Sequence, residues 1–342
     1  MAVGAMLQRF LLSVMLIALA AVSAGCSRPF DEAGSVSAGP APRTNPGEEL
    51  SPDPLQRGKP AKQILFGDLH GHTSFSLDAY EKGMTIVDGE GRRPPADACD
   101  FARYCSQLDF WSINDHAEFL NQQRWANIRD TVRQCNAVAG DPANPDMVTF
   151  LGWEWTQIGR EPALHYGHKN VILRDIAEDS VPSHAIAAPS TETQFNVQLS
   201  AMGMLRERLM RMVDDPDNLL EHLNYLRFLF SGLGESACST EASEAGSQGD
   251  CKAYAANPGE LYRQLEASGS EYMVIPHGNS WGLYTPPASD WRKQLQGDAA
   301  IPGRQPLLEV YSGHGNSEEY RNWRASQQSD TGMRCPLPSE DY

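Results

Sequence analysis

The chain has 342 residues, of which 41% are hydrophobic and 21% charged, enough apolar content for a large folded core. Its formal net charge of −16 excludes a protein that grips a phosphate backbone through a basic surface, so nucleic acid is not an expected partner.

The first segment, "MAVGAMLQRF", carries one positive charge at Arg9, and the uncharged apolar run "FLLSVMLIALAAV" follows it. A run of about 13 residues is too short to span a bilayer and has the length of a signal-peptide core, so residues 1–25 are predicted to be a signal peptide. The stretch "VSAGC" resembles a bacterial lipobox, with Ser23 where Leu is usual, and predicts a lipid anchor on Cys26. The expected location is therefore the periplasm, on a bacterial membrane; an ordinary secretory signal cut nearby is the other reading. Residues 26–60 are rich in Pro, Gly, Ser and Ala and hold little to bury, which predicts a flexible tether before a folded part at 61–342.

Six cysteines remain after Cys26: Cys99, Cys105, Cys135, Cys238, Cys251 and Cys335. An even number in an exported chain points to disulfides, and Cys238 with Cys251 is the most local pair. A cysteine zinc site is the competing reading, and the spacing of Cys99, Cys105 and Cys135 lacks CxxC character.

Along the folded part, five short runs rich in β-branched and aromatic residues each end in residues of the metal-ligand type. In "ILFGDLHGH", strict strand alternation would put Asp68, His70 and His72 on one face. "LDFWSINDHAE" brings Asp115, His116 and Glu118; "MVTFLGWEWT" ends in Glu154, and "HYGHKNVIL" adds His165 and His168. "YMVIPHGNS" contributes His277, and "LLEVYSGHGNSEE" contributes Glu309 and His314. Helical patterns in "PPADACDFARYCSQL", "RWANIRDTVRQCNAVAG" and "NPGELYRQLEAS" separate the strands. Strand, polar cluster, helix, strand is the rhythm of a parallel α/β barrel, whose strand ends share one rim. The region of about 182–269 fits none of these motifs and reads as a helical insertion, with core helices of the barrel as the alternative for its first part; His184 and His222 fall here and read as structural.

A single histidine at a strand end is ordinarily a hydrogen-bonded structural residue, and Asp115 alone would serve as a helix cap. Several carboxylates and imidazoles converging on one rim are costly to bury without cations. A mixed nitrogen and oxygen donor set suits zinc, manganese or iron better than magnesium.

The ordered motifs "GDLHGHTSFS", "SINDHAEF", "GWEWT…GHKNVIL", "VIPHGNS" and "LLEVYSGHGN" resemble those of the polymerase-and-histidinol-phosphatase (PHP) superfamily, in particular its large bacterial branch catalogued as a domain of unknown function. The resemblance runs from about Ile64 to the end of the chain. It implies an α/β fold, a distorted (β/α)7 barrel of the PHP type holding two or three divalent metal ions (Zn, Mn or Fe) at one rim. On the matching positions it implies His70, His72, His116, His168 and His277 as metal ligands, with Asp115 beside His116 and Glu154 bridging two ions. Asp68 is implied either as a ligand or as a group orienting a histidine from behind. Two departures stand out: the motif usually written His-Pro is His277-Gly278 here, and no Asp-x-His follows His314. The second leads to the expectation of a barrel incomplete at its C-terminal end.

The resulting expectation is an exported metal-dependent hydrolase acting on a small anionic ester, most simply a phosphoester, through a metal-bound hydroxide. Glu154, His314 and Lys169 are the expected catalytic groups, His314 as an acid and Lys169, with Arg160 beside it, as a holder of an anionic group; Asn316 is a further expected substrate contact. The same site would permit carboxyl ester, carbamate or amide hydrolysis. A non-catalytic lipoprotein that binds a metal or other ligand is the alternative of a different class.

Overall fold

The computed structural model describes residues 30–41, 64–189, 203, 205–233, 235–238, 251–278, 285–286, 289–316, 327–329 and 332–334. The predicted signal peptide, Cys26 and Cys335 lie outside them. In chain order the strands are β1 (Gly67–Gly71), β2 (Phe110–Ile113), β3 (Val148–Gln157), β4 (Gly167–Leu173), the two-residue β5 (Ile186–Ala187) and β6 (Ala253–Tyr254), β7 (Tyr272–His277), β8 (Tyr311–Ser312), β9 (Gly315–Asn316), β10 (Gln327–Ser329) and β11 (Gly332–Arg334). The α-helices are α1 (Leu77–Gly83), α2 (Pro95–Asp100), α3 (Gln122–Val138), α4 (Leu219–Leu233) and α5 (Pro258–Ala267), and residues 205–214 are also helical.

One five-stranded sheet, in the order β1-β2-β3-β4-β7, curls into a half-barrel. The pairs β1/β2 and β2/β3 are parallel, as the strand–helix–strand rhythm predicts, but β4 is antiparallel to both β3 and β7. This corrects the expectation of an all-parallel sheet. The connection between β3 and β4 covers only 158–166, too short for a crossover helix, so the chain can only fold back. The segment "LLEV" is not a ladder strand either. It runs beside β7 through two separated hydrogen bonds, Val274 N–H to Arg304 O (2.8 Å) and Glu309 N–H to Pro276 O (3.0 Å).

Side-chain alternation along β3 divides the sheet into two faces. Leu151, Trp153 and Trp155 point into the main core with Trp125, Ile128, Val132 and Cys135, which recur on one stripe of α3. Trp125 and Trp153 meet edge to face with centroids 5.5 Å apart. Each buried indole finds an acceptor: Trp125 N–H donates to Pro182 O (3.1 Å), Trp153 to Ile186 O (2.9 Å) and Trp155 to Ala255 O (3.2 Å). Asn121 caps α3 by accepting from Arg124 N–H (2.9 Å). At α5, Asn257 accepts from Glu260 N–H (3.0 Å) while the Glu260 carboxylate accepts from Ala256 N–H (2.7 Å), a reciprocal cap.

The predicted insertion is narrower than 182–269. Ala185–Ala188 belong to the main core, and α5 packs Leu261, Tyr262 and Leu265 there as the helix leading into β7. What stands outside is the helical pair 205–233, whose Tyr225, Leu226, Phe228 and Leu229 form a second core with Tyr80, Met84 and Phe119. Two disulfides are present, Cys99–Cys135 between α2 and α3 and the predicted Cys238–Cys251; Cys105 is a free, exposed thiol.

Residues 30–41 correct the flexible-tether expectation for that stretch. Phe30 is 3% exposed in the second core, and Asp31 accepts a hydrogen bond from the buried Arg124 guanidinium (2.7 Å). Further along, Ser37 donates to Asp100 (2.6 Å), and Arg103 Nη2 donates to Gly39 O (2.7 Å). Composition alone misses this strap, because one aromatic ring and a set of hydrogen bonds hold it rather than a hydrophobic run.

Replacing Asp31 by Ala leaves the Arg124 charge buried with only neutral acceptors, Phe119 O and Ser231 Oγ among them. Loss of one partner of a buried pair typically costs about 3 kcal/mol. We expect urea unfolding of Asp31→Ala to show a loss of that order.

Candidate metal centre

The inner face of the half-barrel carries a cluster around one carboxylate. Glu154 is 0% exposed, held on the inner face by its neighbours Trp153 and Trp155 on the outer one. Its Oε2 lies 3.1 Å from His70 Nε2 and 3.0 Å from His72 Nε2. Its Oε1 lies 2.6 Å from His168 Nδ1, 3.4 Å from His116 Nδ1, and 3.5 Å from both His277 Nε2 and His314 Nε2. Six imidazoles thus surround a single buried acid.

The fold delivers each of them for a local reason. His70 and His72 leave the C-terminal end of β1, His116 follows β2, and His277 ends β7. His168 sits near the start of β4; because β4 is reversed, its beginning lies at the same rim, and His168 pairs with Thr156 and His277. His314 is placed by the β8–β9 hairpin and stacks on His168 with centroids 3.8 Å apart. Gly278 takes φ 61°, a backbone conformation closed to proline, whose φ is fixed near −65°. A Cβ there would stand 3.0 Å from His168 Cδ2 and 3.2 Å from His314 Cβ, so glycine suits the crowded rim.

A ring of further groups fixes the imidazoles. His70 Nδ1 lies 2.8 Å from Glu309 Oε2, and His72 Nδ1 lies 3.0 Å from Ser76 Oγ and 3.4 Å from Asp78 Oδ1. Thr156 Oγ1 lies 3.0 Å from His116 Nδ1 and 3.1 Å from His168 Nδ1, and donates to Glu154 Oε1 (3.2 Å). Such outer contacts set ring orientation and ligand basicity in metal sites.

Protonation divides the cluster. Burial opposes the charge of Glu154, yet the imidazoles, His116, His277 and His168 foremost, hold its carboxyl well below the usual range. Burial pushes His116 and His168 down, and pushes His314 down to about 4, leaving neutral rings with lone pairs available. Against burial, hydrogen bonds to Glu154 and Glu309 push His70 up to about 9, and those to Asp78 and Glu154 push His72 up to about 10. His70 Nε2 and His72 Nε2 also lie 3.0 Å from each other.

Four overlapping sets have donor atoms within 4.8 Å of one another: Glu154/His168/His277/His314, His70/His72/Glu154, His70/His277/Glu309 and His72/Asp78/His116. Glu154, His70, His72 and His277 each belong to two sets, the sharing that a cluster of two or three cations requires. The donors fit: buried carboxylate oxygens and imidazole nitrogens suit zinc, manganese or iron.

Three residues singled out from the sequence stand apart from this cluster. Three residue steps on β1 face two on β2 between Asp68 and Gly71, so strict alternation fails inside the motif. Asp68 is exposed, and its carboxylate accepts from His70 N–H (2.8 Å). Asp115 turns back to β1, accepting from Thr73 N–H (2.6 Å) and Thr73 O–H (2.7 Å). Burial pushes its carboxyl up to about 6. Lys169 pairs with Trp155 on the outer face of β4, where its ammonium donates to Gln294 and to Tyr166 O (3.3 Å), away from His168. This corrects its expected role of holding a substrate anion. Arg160 is exposed in the turn between β3 and β4, and the side chain of Asn316 lies outside the described residues.

Asp78 was not legible as a site residue, since it comes from the first turn of α1 rather than a strand end. Glu309, one of the ligand-type residues at the fifth motif, gains a specific contact, His70.

Comparison with family models, with curated proteins and with solved structures gives no match.

Glu154→Gln removes the charge of the one carboxylate that, among the described residues, reaches all six imidazoles, and should abolish stoichiometric binding of a divalent cation, read by elemental analysis after gel filtration. Asp115→Asn and Lys169→Met, which alter groups bonded away from the cluster, should retain the wild-type metal content.

Proposed function

We propose that this chain is an exported metal-dependent hydrolase of the PHP kind, acting on a small anionic phosphoester. The observation that carries the reading is the convergence of His70, His72, His116, His168, His277 and His314 on the fully buried Glu154. Its order along the chain is that of the superfamily's motifs.

Two or three divalent cations, when bound, supply Lewis acidity toward phosphoryl oxygens and lower the pKa of water enough to give a nucleophile near neutral pH. The chain's own residues divide the remaining work. Glu154, reaching one set of imidazoles with each oxygen, would share in holding the cations with both sets. Asp78 and Ser76 fix His72, Glu309 fixes His70, and Thr156 fixes His116 and His168. His314 keeps 18% side-chain exposure at the rim; neutral at pH 7, it is placed to take up a proton from the attacking water or to orient the leaving group.

The proposal extends to the fold and the location. Below the cluster, Leu69, Phe110, Phe150, Ile172 and Met273 line an apolar groove of about 400 Å³ along the open side of the half-barrel. Further strands covering that groove would complete a (β/α)7 barrel and bury the exposed Leu65 and Phe66 at the edge. The leader and Cys26 give export and a lipid anchor. Among the described residues no helix is long and apolar enough to cross a membrane.

The test is hydrolysis of a panel of phosphomonoesters, phosphodiesters, carboxyl esters and amides by the metal-loaded protein. Phosphoester turnover should disappear with a chelator and return with zinc or manganese. His70→Ala and Glu154→Ala should each lower kcat/KM at least about 100-fold, roughly 2.7 kcal/mol of transition-state stabilisation. Undiminished turnover in both variants would refute the mechanism. His314→Ala, which removes one donor of the Glu154/His168/His277/His314 set, should lower both metal content and kcat.

A further inference from the structure

We propose that Asn170 is a further member of the metal centre, its side-chain amide oxygen a donor on the deep side of Glu154. The inference rests on the metal-centre reading and not on which ester is hydrolysed.

Register fixes its place. Asn170 lies opposite Glu154 on β3 and opposite Ile275 on β7. Side chains paired across antiparallel strands share a face, with Cβ atoms about 5 Å apart, and residues two apart on one strand share it too. Asn170 therefore stands on the inner face beside both Glu154 and His168. Its chain neighbours agree with that side: Val171 packs into the main core, and Ile172 lines the lower apolar groove. Asn170 is thus the layer of β4 between the imidazoles above and the apolar groove below.

The state of its amide points to a ligand. Asn170 is 1% exposed, and neither Oδ1 nor Nδ2 has a hydrogen-bond partner. Among the described residues it is the one amide side chain with both ends buried and unbonded. Buried amides elsewhere are satisfied: Asn121 accepts from Arg124 N–H (2.9 Å), Gln157 donates to Ala256 O (2.8 Å) and Gln294 donates to Tyr166 O (2.8 Å). An unbonded buried amide forfeits the hydration of both its ends, a cost that an apolar side chain of similar shape would avoid. Ile275, directly across on β7, shows that this layer accepts such a side chain. A polar group kept there at a cost, against an ionised acid ringed by imidazoles, is explained by an ion that it helps to hold.

The donor set defines what the amide adds. Glu154, His168, His277 and His314 offer one oxygen and three nitrogens. An amide oxygen is a harder donor than imidazole, and carbonyl oxygens suit manganese where imidazoles suit zinc. Being neutral, it does so without adding charge to a site that already holds Glu154, Glu309 and Asp78. Asn170 therefore shifts the preference of the centre toward manganese.

The experiment uses the full chain, stripped of metal with a chelator and titrated calorimetrically with manganese and with zinc. Asn170→Leu and Asn170→Ser should each weaken manganese binding at least about 10-fold, roughly 1.4 kcal/mol, and weaken zinc binding less. Asn170→Asp, which retains an oxygen, should bind manganese at least as tightly as the wild type. Metal-free Asn170→Leu should unfold in urea no earlier than metal-free wild type, so that the loss is one of binding and not of folding; should it unfold earlier, Asn170→Ser and Asn170→Asp carry the test. Wild-type manganese affinity in Asn170→Ser or Asn170→Leu, or a manganese loss in Asn170→Asp as large as in Asn170→Ser, overturns the inference alone. Wild-type protein that takes up neither metal overturns the metal centre and this inference with it.

Discussion

The structure turns on keeping one ionised carboxylate out of water. Glu154 has no solvent exposure, and transferring such a charge to a protein interior costs several kcal/mol unless opposite charge and hydrogen bonds surround it. Its two oxygens are satisfied by separate groups, Oε2 by His70 and His72, Oε1 by His168, His116, His277 and His314. That split makes Glu154 a spacer between two halves of the cluster. The tryptophans on either side give it no choice of face: Trp153 and Trp155 are locked into the core by packing and by indole hydrogen bonds.

The burial that makes Glu154 expensive also prepares the ligands. Imidazoles deep in the cluster lose their protons readily, which is the form that binds a metal. His70 and His72, which are pushed up against burial, are those with a second carboxylate at hand, Glu309 and Asp78 respectively. Two acids outside the Glu154 core therefore raise the negative charge of the site to a level that matches more than one divalent ion.

Much of this was legible in the sequence, and the misses have physical causes. "GWEWT" reads correctly because its alternation is strong: two indoles on one side force the acid to the other. The first motif reads less well, because the register slip between Asp68 and Gly71 depends on pairing with β2, which no local pattern encodes. Strand direction is equally invisible locally: "GHKNVIL" has the same composition running either way, and only the short connection from β3 reverses it. Lys169 illustrates the period of two. Its neighbour His168 faces the cluster, so Lys169 must face away. The strap 30–41 was unreadable for another reason, since its attachment lies in hydrogen bonds to Arg103, Arg124 and Asp100 rather than in its own hydrophobicity.

The half-barrel separates two requirements that a closed barrel would merge. Every imidazole of the cluster comes from the rim of four adjacent strand connections or from the β8–β9 hairpin, so the donor set is already gathered on β1, β2, β3, β4 and β7. The open side of the sheet lies lower, where Leu69, Phe110, Phe150, Ile172 and Met273 leave an apolar groove. Covering that groove is a matter of hydrophobic burial, whereas gathering the ligands is a matter of charge. The two are coupled through every strand of the sheet, since Leu69, Phe110, Phe150, Ile172 and Met273 lie on the same strands that deliver His70, His116, Glu154, His168 and His277. Hydrophobic packing at the lower end of those strands therefore fixes the strand ends that hold the imidazoles around Glu154.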